Sequence, residues 1–443
     1  MSIQLSDHFT FSKLIRFALP SVVMMIFTSI YGVVDGLFVS NFVGKTPFAA
    51  INLVMPFIMI LGGVGFMIGT GGSALVAKTL GEGKNETAQR YFTMMILLTL
   101  ILGALLTVLG ILFMRPVSYL LGATEAMIED CVQYGRAVLA FNAAFMLQNV
   151  FQSFLITAEK PKLGLAVTIA AGVTNMVLDA LFIAAFKWGV VGAALATGLS
   201  QCVGGLLPLL YFLLPNRSLL RLRPTRLEWR PLVKACTNGS SELMSNISSS
   251  LVSMLYNFQL MKMIGEDGVS AYGVLMYVQF IFIAIYIGYS IGTAPIIGYH
   301  YGAQNHGELK NMLRKSLFLM SISGLLLTLL ALLLAQPMAQ LFVGYDAESC
   351  ALTIHAFRIF SFVFLLAGLN IFLSSFFTAL NNGAVSAAIS FLRTLVFQTS
   401  SVLILPLFIG VDGIWWAAAV AEVCAFLISL IFLLAKRGRY HYL

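Results

Sequence analysis

Twelve long apolar runs divide this chain, and that division limits the fold more than any single motif does. They fall at about 13–40, 48–77, 91–114, 130–157, 163–186, 189–214, 236–262, 268–299, 312–335, 350–379, 384–408 and 411–435. A helix needs about 20 apolar residues to cross a bilayer, and these runs reach or exceed that length. Composition agrees: 59% of the 443 residues are hydrophobic and only 10% are charged, with a mean hydropathy of +0.93. Soluble domains carry about 25% charged residues. The expected fold is an all-α polytopic membrane protein with twelve transmembrane helices.

The same pattern excludes several functions. The net charge is +8, but the basic residues sit in short loops rather than on one folded face, so no nucleic-acid partner is expected. The five cysteines form no C-x-x-C pair and no metal-ligand spacing, which reads as buried small hydrophobes. The five histidines are scattered and read as loop and helix-end residues. The first apolar run is too long for a cleavable signal peptide and is interrupted by Asp35. "GVGFMIGTGGS" and "GEGKN" both lack the spacing of a phosphate loop; the former reads as close helix packing through small residues. The chain is therefore read as neither an enzyme nor an ATPase, and no cofactor is expected beyond a coupling ion.

Lysine and arginine positions give the orientation. With the N-terminus inside, the even-numbered loops and both termini hold 19 of the 26 basic residues. By the positive-inside rule both termini are cytoplasmic, in the cytoplasmic membrane. The longest basic stretch, "PNRSLLRLRPTRLEWRPLVK", lies mid-chain and reads as a linker touching anionic headgroups. Sliding the chain by 221 residues pairs Gly44 with Gly265, Ala50 with Ala271, Gly71 with Gly292 and Gly81 with Gly302. At 222, Arg136 meets Arg358 and Ser153 meets Ser375. Two parallel six-helix halves follow: an N-lobe at 1–214, a basic linker at 215–235, a C-lobe at 236–435 and a tail at 436–443. A pseudo-twofold along the membrane normal leaves a cleft suited to alternating access.

Carboxylates inside a membrane are costly and mark candidate sites. Four fall well inside spans: Asp35, Asp179, Glu242 and Glu422. Asn175 and Asp179, four apart, share a helix face, and Asn149 and Thr197 lie on neighbouring spans. The repeat supplies an internal control. Asp35, Asn149, Asn175, Asp179 and Thr197 correspond to Tyr256, Ile371, Phe397, Ser401 and Val420 in the second half. A polar set confined to one half reads as a site rather than as packing. Two carboxylates together in a low-dielectric pocket cannot both stay ionised cheaply. Either a proton or a hard cation such as sodium, held by Asp35 and Asp179, would discharge them; a structural pairing of one of them with Arg136 is the plainer alternative. Glu242 and Glu422 are candidates to meet a cationic substrate in the cleft, or else packing residues, with Arg393 a partner. Met24, Met25, Phe27, Met55, Phe151, Tyr256, Met276, Tyr277 and Phe280 are candidate lining for lipophilic or cationic small molecules.

These residues resemble the multidrug and toxic compound extrusion (MATE) family along essentially the whole chain. "FALPSVVMMIFTSIYGVVDGLFVSNFVG" looks like that family's first helix and "WGVVGAALATGLSQ" like its sixth. The set Asp35, Asn149, Asn175, Asp179 and Thr197 is similar to the N-lobe cation site of DinF-type members. Pro20 matches a first-helix proline that bends as the site changes protonation. "GIWWAAAVAE" is similar to a MepA-like bacterial branch. The resemblance implies a V-shaped pair of bundles and cation-coupled export of drugs by a protein functional as a monomer. Some members carry an aspartate in the tenth helix, which span ten here lacks. The alternative reading is a related flippase of lipid-linked precursors; an integral-membrane enzyme or a receptor fits less well.

Overall fold

The computed structural model describes residues 3–216, 218–344 and 346–442. Twelve helical rods follow one another: α1 (Phe11–Phe42), α2 (Lys45–Gly81), α3 (Asn85–Leu120), α4 (Ile128–Leu139 with Asn142–Thr157), α5 (Pro161–Ala185) and α6 (Gly189–Leu213) form the N-lobe. The C-lobe repeats the order with α7 (Trp229–Met263), α8 (Glu266–Gly302), α9 (His306–Val343), α10 (Ala347–Phe360 with Val363–Ala379), α11 (Gly383–Ile409) and α12 (Asp412–Tyr440). All but α7 are apolar and long enough to cross a membrane, counting each bent pair as one span. The Ser- and Asn-rich α7 instead packs against α2 and α11, and Asn238 donates to the Thr378 carbonyl on α10 at 2.9 Å. Ser241 Oγ lies 3.5 Å from Thr378 Oγ1, so part of the polar face of α7 is bonded inside the protein rather than left to lipid.

The repeat shows in backbone detail. α4 and α10 break at equivalent places, with bends of 53° and 44°. Gly44 and Gly265 begin α2 and α8 with φ of +116° and +86°, a turn conformation that L side chains resist. Helix α7 starts at Trp229, so residues 229–235 of the expected linker are helical, with Pro231 accommodated in the first turn. The remaining linker runs along α3: the Arg223 amide donates to Thr93 Oγ1 at 3.0 Å and its guanidinium meets Glu86 at 2.9 Å. Arg217, part of the expected basic stretch, lies outside the described residues.

The lobes meet through α1, α2, α7 and α8, and glycines set the contact. A Cβ on Gly71 would overlap the Ala235 carbonyl, one on Gly239 the Met67 carbonyl, and Gly81 and Gly302 stand in the same relation to Tyr299 and Lys78. On α8, a Cβ on Gly288 would fall 2.6 Å from Val22 Cα. Every one of these contacts lies toward the end of the bundle where α1 starts and α8 finishes. Toward the other end, Gly32, Gly36 and Gly273 have nothing within 4 Å of a built Cβ. The lobes are thus closed at one end and parted at the other. The stripe Gly62, Gly65, Gly69 and Gly72 serves a second purpose, fitting α2 against α4 or, at Gly72, also α3.

The segment before α1 bridges the lobes at the closed end. Leu5 and Phe9 are fully buried. The Leu5 amide donates to Glu159 between α4 and α5 at 2.7 Å. Across the seam, the Phe9 amide donates to Glu308 of α9 at 2.9 Å, and His8 meets the same carboxylate at 2.7 Å. Burial raises the Glu159 carboxyl above its ordinary range, against the opposing pull of the Leu5 N–H. The C-terminal end docks nearby, with the Tyr440 and Tyr301 rings 5.5 Å apart.

Gly71→Leu places bulk against backbone at the seam, so overpacking should cost on the order of 1–3 kcal/mol and lower the thermal midpoint of detergent-solubilised protein. Gly273→Leu, in open space, should leave the midpoint unchanged.

Candidate functional site

Asp35 sits in the second half of α1, beyond Pro20, and α1 continues through that proline as one helix. A proline supplies no N–H to the preceding turn, so this stretch of α1 is locally weaker than its neighbours. Asn175 and Asp179 lie one turn apart on α5, 1% and 0% exposed. At Asp179 the regular α-helix ends and a wider π-helical stretch, Ala180–Ala185, begins. Such widened turns recur at functional sites because they redirect side chains.

The Asp35 carboxylate is a near neighbour of both Asp179 and Asn175. Asp35 Oδ1, both Asp179 oxygens, Asn175 Oδ1 and Thr197 Oγ1 are buried without a hydrogen-bond donor among the described residues. Two carboxylates have no hydrogen to offer each other unless one gains a proton, and no basic side chain bridges them. Arg136 is exposed and donates to the Ile111 carbonyl at 3.2 Å, so it is not their counter-charge. Two buried carboxylates so placed cannot both stay ionised cheaply without something that discharges them.

Asn149 belongs to the neighbourhood by its helix but is committed elsewhere, its amide donating to the Gly62 carbonyl at 3.2 Å. Two residues that sequence reasoning missed also neighbour the carboxylates. Tyr134, 1% exposed, neighbours both carboxylates. Tyr31, one turn before Asp35, neighbours that carboxylate. Tyr31 and Asp35 share the i, i+4 spacing used for Asn175 and Asp179, which was the available signal.

The C-lobe presents a contrasting arrangement. Glu422 on α12 is 1% exposed. Its carboxylate takes Arg393 Nε at 2.9 and 3.0 Å and Nη2 at 2.8 Å. Asn370 Nδ2 completes the shell at 2.7 Å. Glu422 is therefore closed to the cleft in this conformation. Glu242 on α7 is half-buried and near enough to feel the Arg393 charge.

The other candidate lining residues divide by lobe. Met24 and Phe151 are buried inside the N-lobe, where Phe151 stacks on Phe212 at 5.8 Å, and Met25, Phe27 and Met55 are half-buried. Tyr256, the repeat partner of Asp35, is 2% exposed and stacks on Tyr272 at 4.9 Å. Met276 is half-buried, Phe280 is exposed, and Tyr277 stacks on Phe342 of α9 at 5.4 Å.

The family profile of MatE matches residues 20–181 and 243–402, once in each lobe. The chain belongs to the MatE family. It is 23% identical over 432 residues to a protein named Multidrug export protein MepA from Staphylococcus saprophyticus, covering 96% of this chain and 94% of that one. Among solved structures it resembles one described as the outward-facing conformation of a multidrug resistance MATE family transporter of the MOP superfamily. That likeness has a TM-score of 0.93 at 23% identity and covers 100% of this chain and 99% of the other. A crystal structure of MATE in complex with MaL6 matches with a TM-score of 0.91 at 23% identity, over 98% and 97% of the two chains. The MatE fold and its multi-pass passage through the membrane account for the two matched bundles and the cleft between them.

Gly172 on α5 holds α1 close: a built Cβ there would overlap the Phe27 ring and fall 2.8 Å from Tyr31 Cδ1. Gly172→Val should push α1 from α5 and separate Asp35 from Asp179. Efflux of ethidium from cells expressing the variant should fall at least tenfold while the protein still reaches the membrane.

Proposed function

We propose that this protein exports lipophilic and cationic small molecules, drugs included, across the cytoplasmic membrane in exchange for an inward-moving proton or sodium ion. The reading rests above all on one observation: the Asp35–Asp179 pair is buried in one lobe with no counter-charge among the described residues. Both termini face the cytoplasm in this reading, so the parted end of the lobes opens outward. There the carboxylates take up the coupling ion. For a proton, the two carboxylates share it, with Asn175 as a donor to the charged oxygen. For sodium, Asp35 and Asp179 are the charged ligands and the Asn175 and Thr197 oxygens the neutral ones, with Asn149 on the adjoining helix; oxygen donors of this kind suit a hard cation. The name carried by the staphylococcal relative supports drug export as the outward half of the exchange.

For a secondary transporter working alone as a monomer, the coupling ion's own concentration gradient must supply what the membrane potential does not. Moving one positive charge outward against 100 mV costs about 2.3 kcal/mol, and a hundredfold substrate gradient about 2.7 kcal/mol more. One inward cation cancels the electrical part. Cation uptake outside discharges the pocket and lets the lobes part at the inner end, Pro20 giving α1 its point of bending. Inside, Glu242 and the half-buried methionines and aromatics of the cleft take the next substrate, a cation matched to that carboxylate. Rebinding of substrate and loss of the coupling ion return the protein outward.

Purified protein in liposomes loaded with a fluorescent organic cation tests this under a sodium gradient and a proton gradient applied separately. Transport under one gradient is expected and identifies the coupling ion; transport under neither would end the exporter reading. Asp35→Asn and Asp179→Asn, correctly inserted, should each lower efflux at least tenfold, and wild-type rates from both would refute the coupling role.

A further inference from the structure

Each lobe buries carboxylate in its membrane-spanning interior, yet the two lobes compensate that charge in different ways. In the N-lobe, Asp35 and Asp179 meet no basic side chain among the described residues. In the C-lobe, Glu422 is met by the Arg393 guanidinium through three contacts of 2.8–3.0 Å and by Asn370 Nδ2 at 2.7 Å, while Ser429 Oγ donates to Asn370 Oδ1 at 3.3 Å. The Glu422 side chain is 2% exposed and that of Arg393 14%. The repeat connects the two environments. A shift of 222 brings Gln148 onto Asn370, Gln152 onto Ser374 and Thr168 onto Ser390. The N-lobe amides at these positions keep buried oxygens without donors. Their C-lobe counterparts are joined: Ser374 bonds Ser386 and Ser390, each at 2.9 Å, and Asn370 bonds Glu422.

A buried carboxylate needs a counter-charge, and a guanidinium keeps its proton at any working pH. The C-lobe pair therefore carries a fixed charge of zero through every step of a transport cycle. Arg393 stands in the π-helical stretch Leu392–Phe397, which gives its side chain a direct line to α12. We propose that Arg393 is a tethered cation filling a latent monovalent-cation site made by Glu422 and Asn370. In the native protein the C-lobe then exchanges no ion, and every coupling cation passes through the N-lobe. With the guanidinium removed, the same oxygens take a proton or a sodium ion from solution. The proposal rests on the N-lobe coupling role given above.

The test uses full-length protein in which Asp35→Asn and Asp179→Asn silence the N-lobe. Thermal stability is followed against sodium concentration and against pH, together with binding of radioactive sodium. The silenced protein should show neither sodium binding nor a cation-dependent stability change attributable to Glu422. Adding Arg393→Met should create one, and adding Glu422→Gln on top should abolish it. No new cation dependence on Arg393→Met would overturn the proposal. So would a dependence already present in the silenced protein and removed by Glu422→Gln alone.

Where Arg393→Met does not fold, the double variant Arg393→Met with Glu422→Gln replaces the pair by neutral groups of similar volume. In otherwise wild-type protein it should keep the ratio of cations to substrate, and a fall in that ratio would equally refute the proposal. If Asp35→Asn with Asp179→Asn leaves that ratio intact, the N-lobe reading is what has failed.

Discussion

Backbone-to-backbone contact at glycine is the constraint on which the rest of this structure depends. Between helices in lipid there is little hydrophobic gain from association, so close approach and dispersion must hold the lobes together. Gly71, Gly81, Gly239 and Gly302 bring α2 onto α7 and α8 at one end only. Flat surfaces of this kind adhere tightly and also separate without tearing interdigitated side chains. The cleft at the other end is a direct result, because helices pinned together at one end and lacking such contacts at the other diverge.

Within that frame the two lobes share a backbone plan and differ in charge. The kinks of α4 and α10 and the left-handed glycines at the starts of α2 and α8 are common to both. The N-lobe keeps two carboxylates and several amide oxygens without donors, which makes its interior sensitive to any cation that arrives. The C-lobe closes its polar groups on one another through Arg393, Asn370 and the serines of α10 and α11. One lobe is therefore suited to changing its charge and the other to staying constant while the first moves.

Much of this was legible in the sequence. The twelve rods follow from run length, and their repeat from the glycine pairs at 221 residues. The seam explains why Gly71/Gly292 and Gly81/Gly302 recur: each lies at the contact between lobes. The association of Asp35, Asn175 and Asp179 was readable from their spacing and from their absence in the second half. The commitment of Asn149 to Gly62 was not, because the asparagine's helix could be predicted but its rotation against α2 could not. Tyr31 carries a signal in its i, i+4 spacing from Asp35, whereas Tyr134, on a different helix, carries none in the sequence. The Arg393–Glu422 contact joins residues 29 apart on two helices. Only the tertiary packing of α11 against α12 decides whether such residues meet or face lipid. The linker was expected to end later than it does because Trp229, Arg230 and Lys234 look like loop residues until α7 is seen to extend beyond its apolar portion.

The short segment that bridges the lobes also bears on how the molecule is made. Phe9 and the Glu308 that receives its amide are 299 residues apart. At roughly 5–20 residues per second, the ribosome needs about a quarter of a minute to a minute to produce the second after the first. Throughout that interval Leu5 and Phe9 have no finished pocket, so residues made before either bundle are among the last to be seated. The bridge can therefore form only on a chain whose second bundle has reached the membrane, which makes its docking a mark of completed assembly.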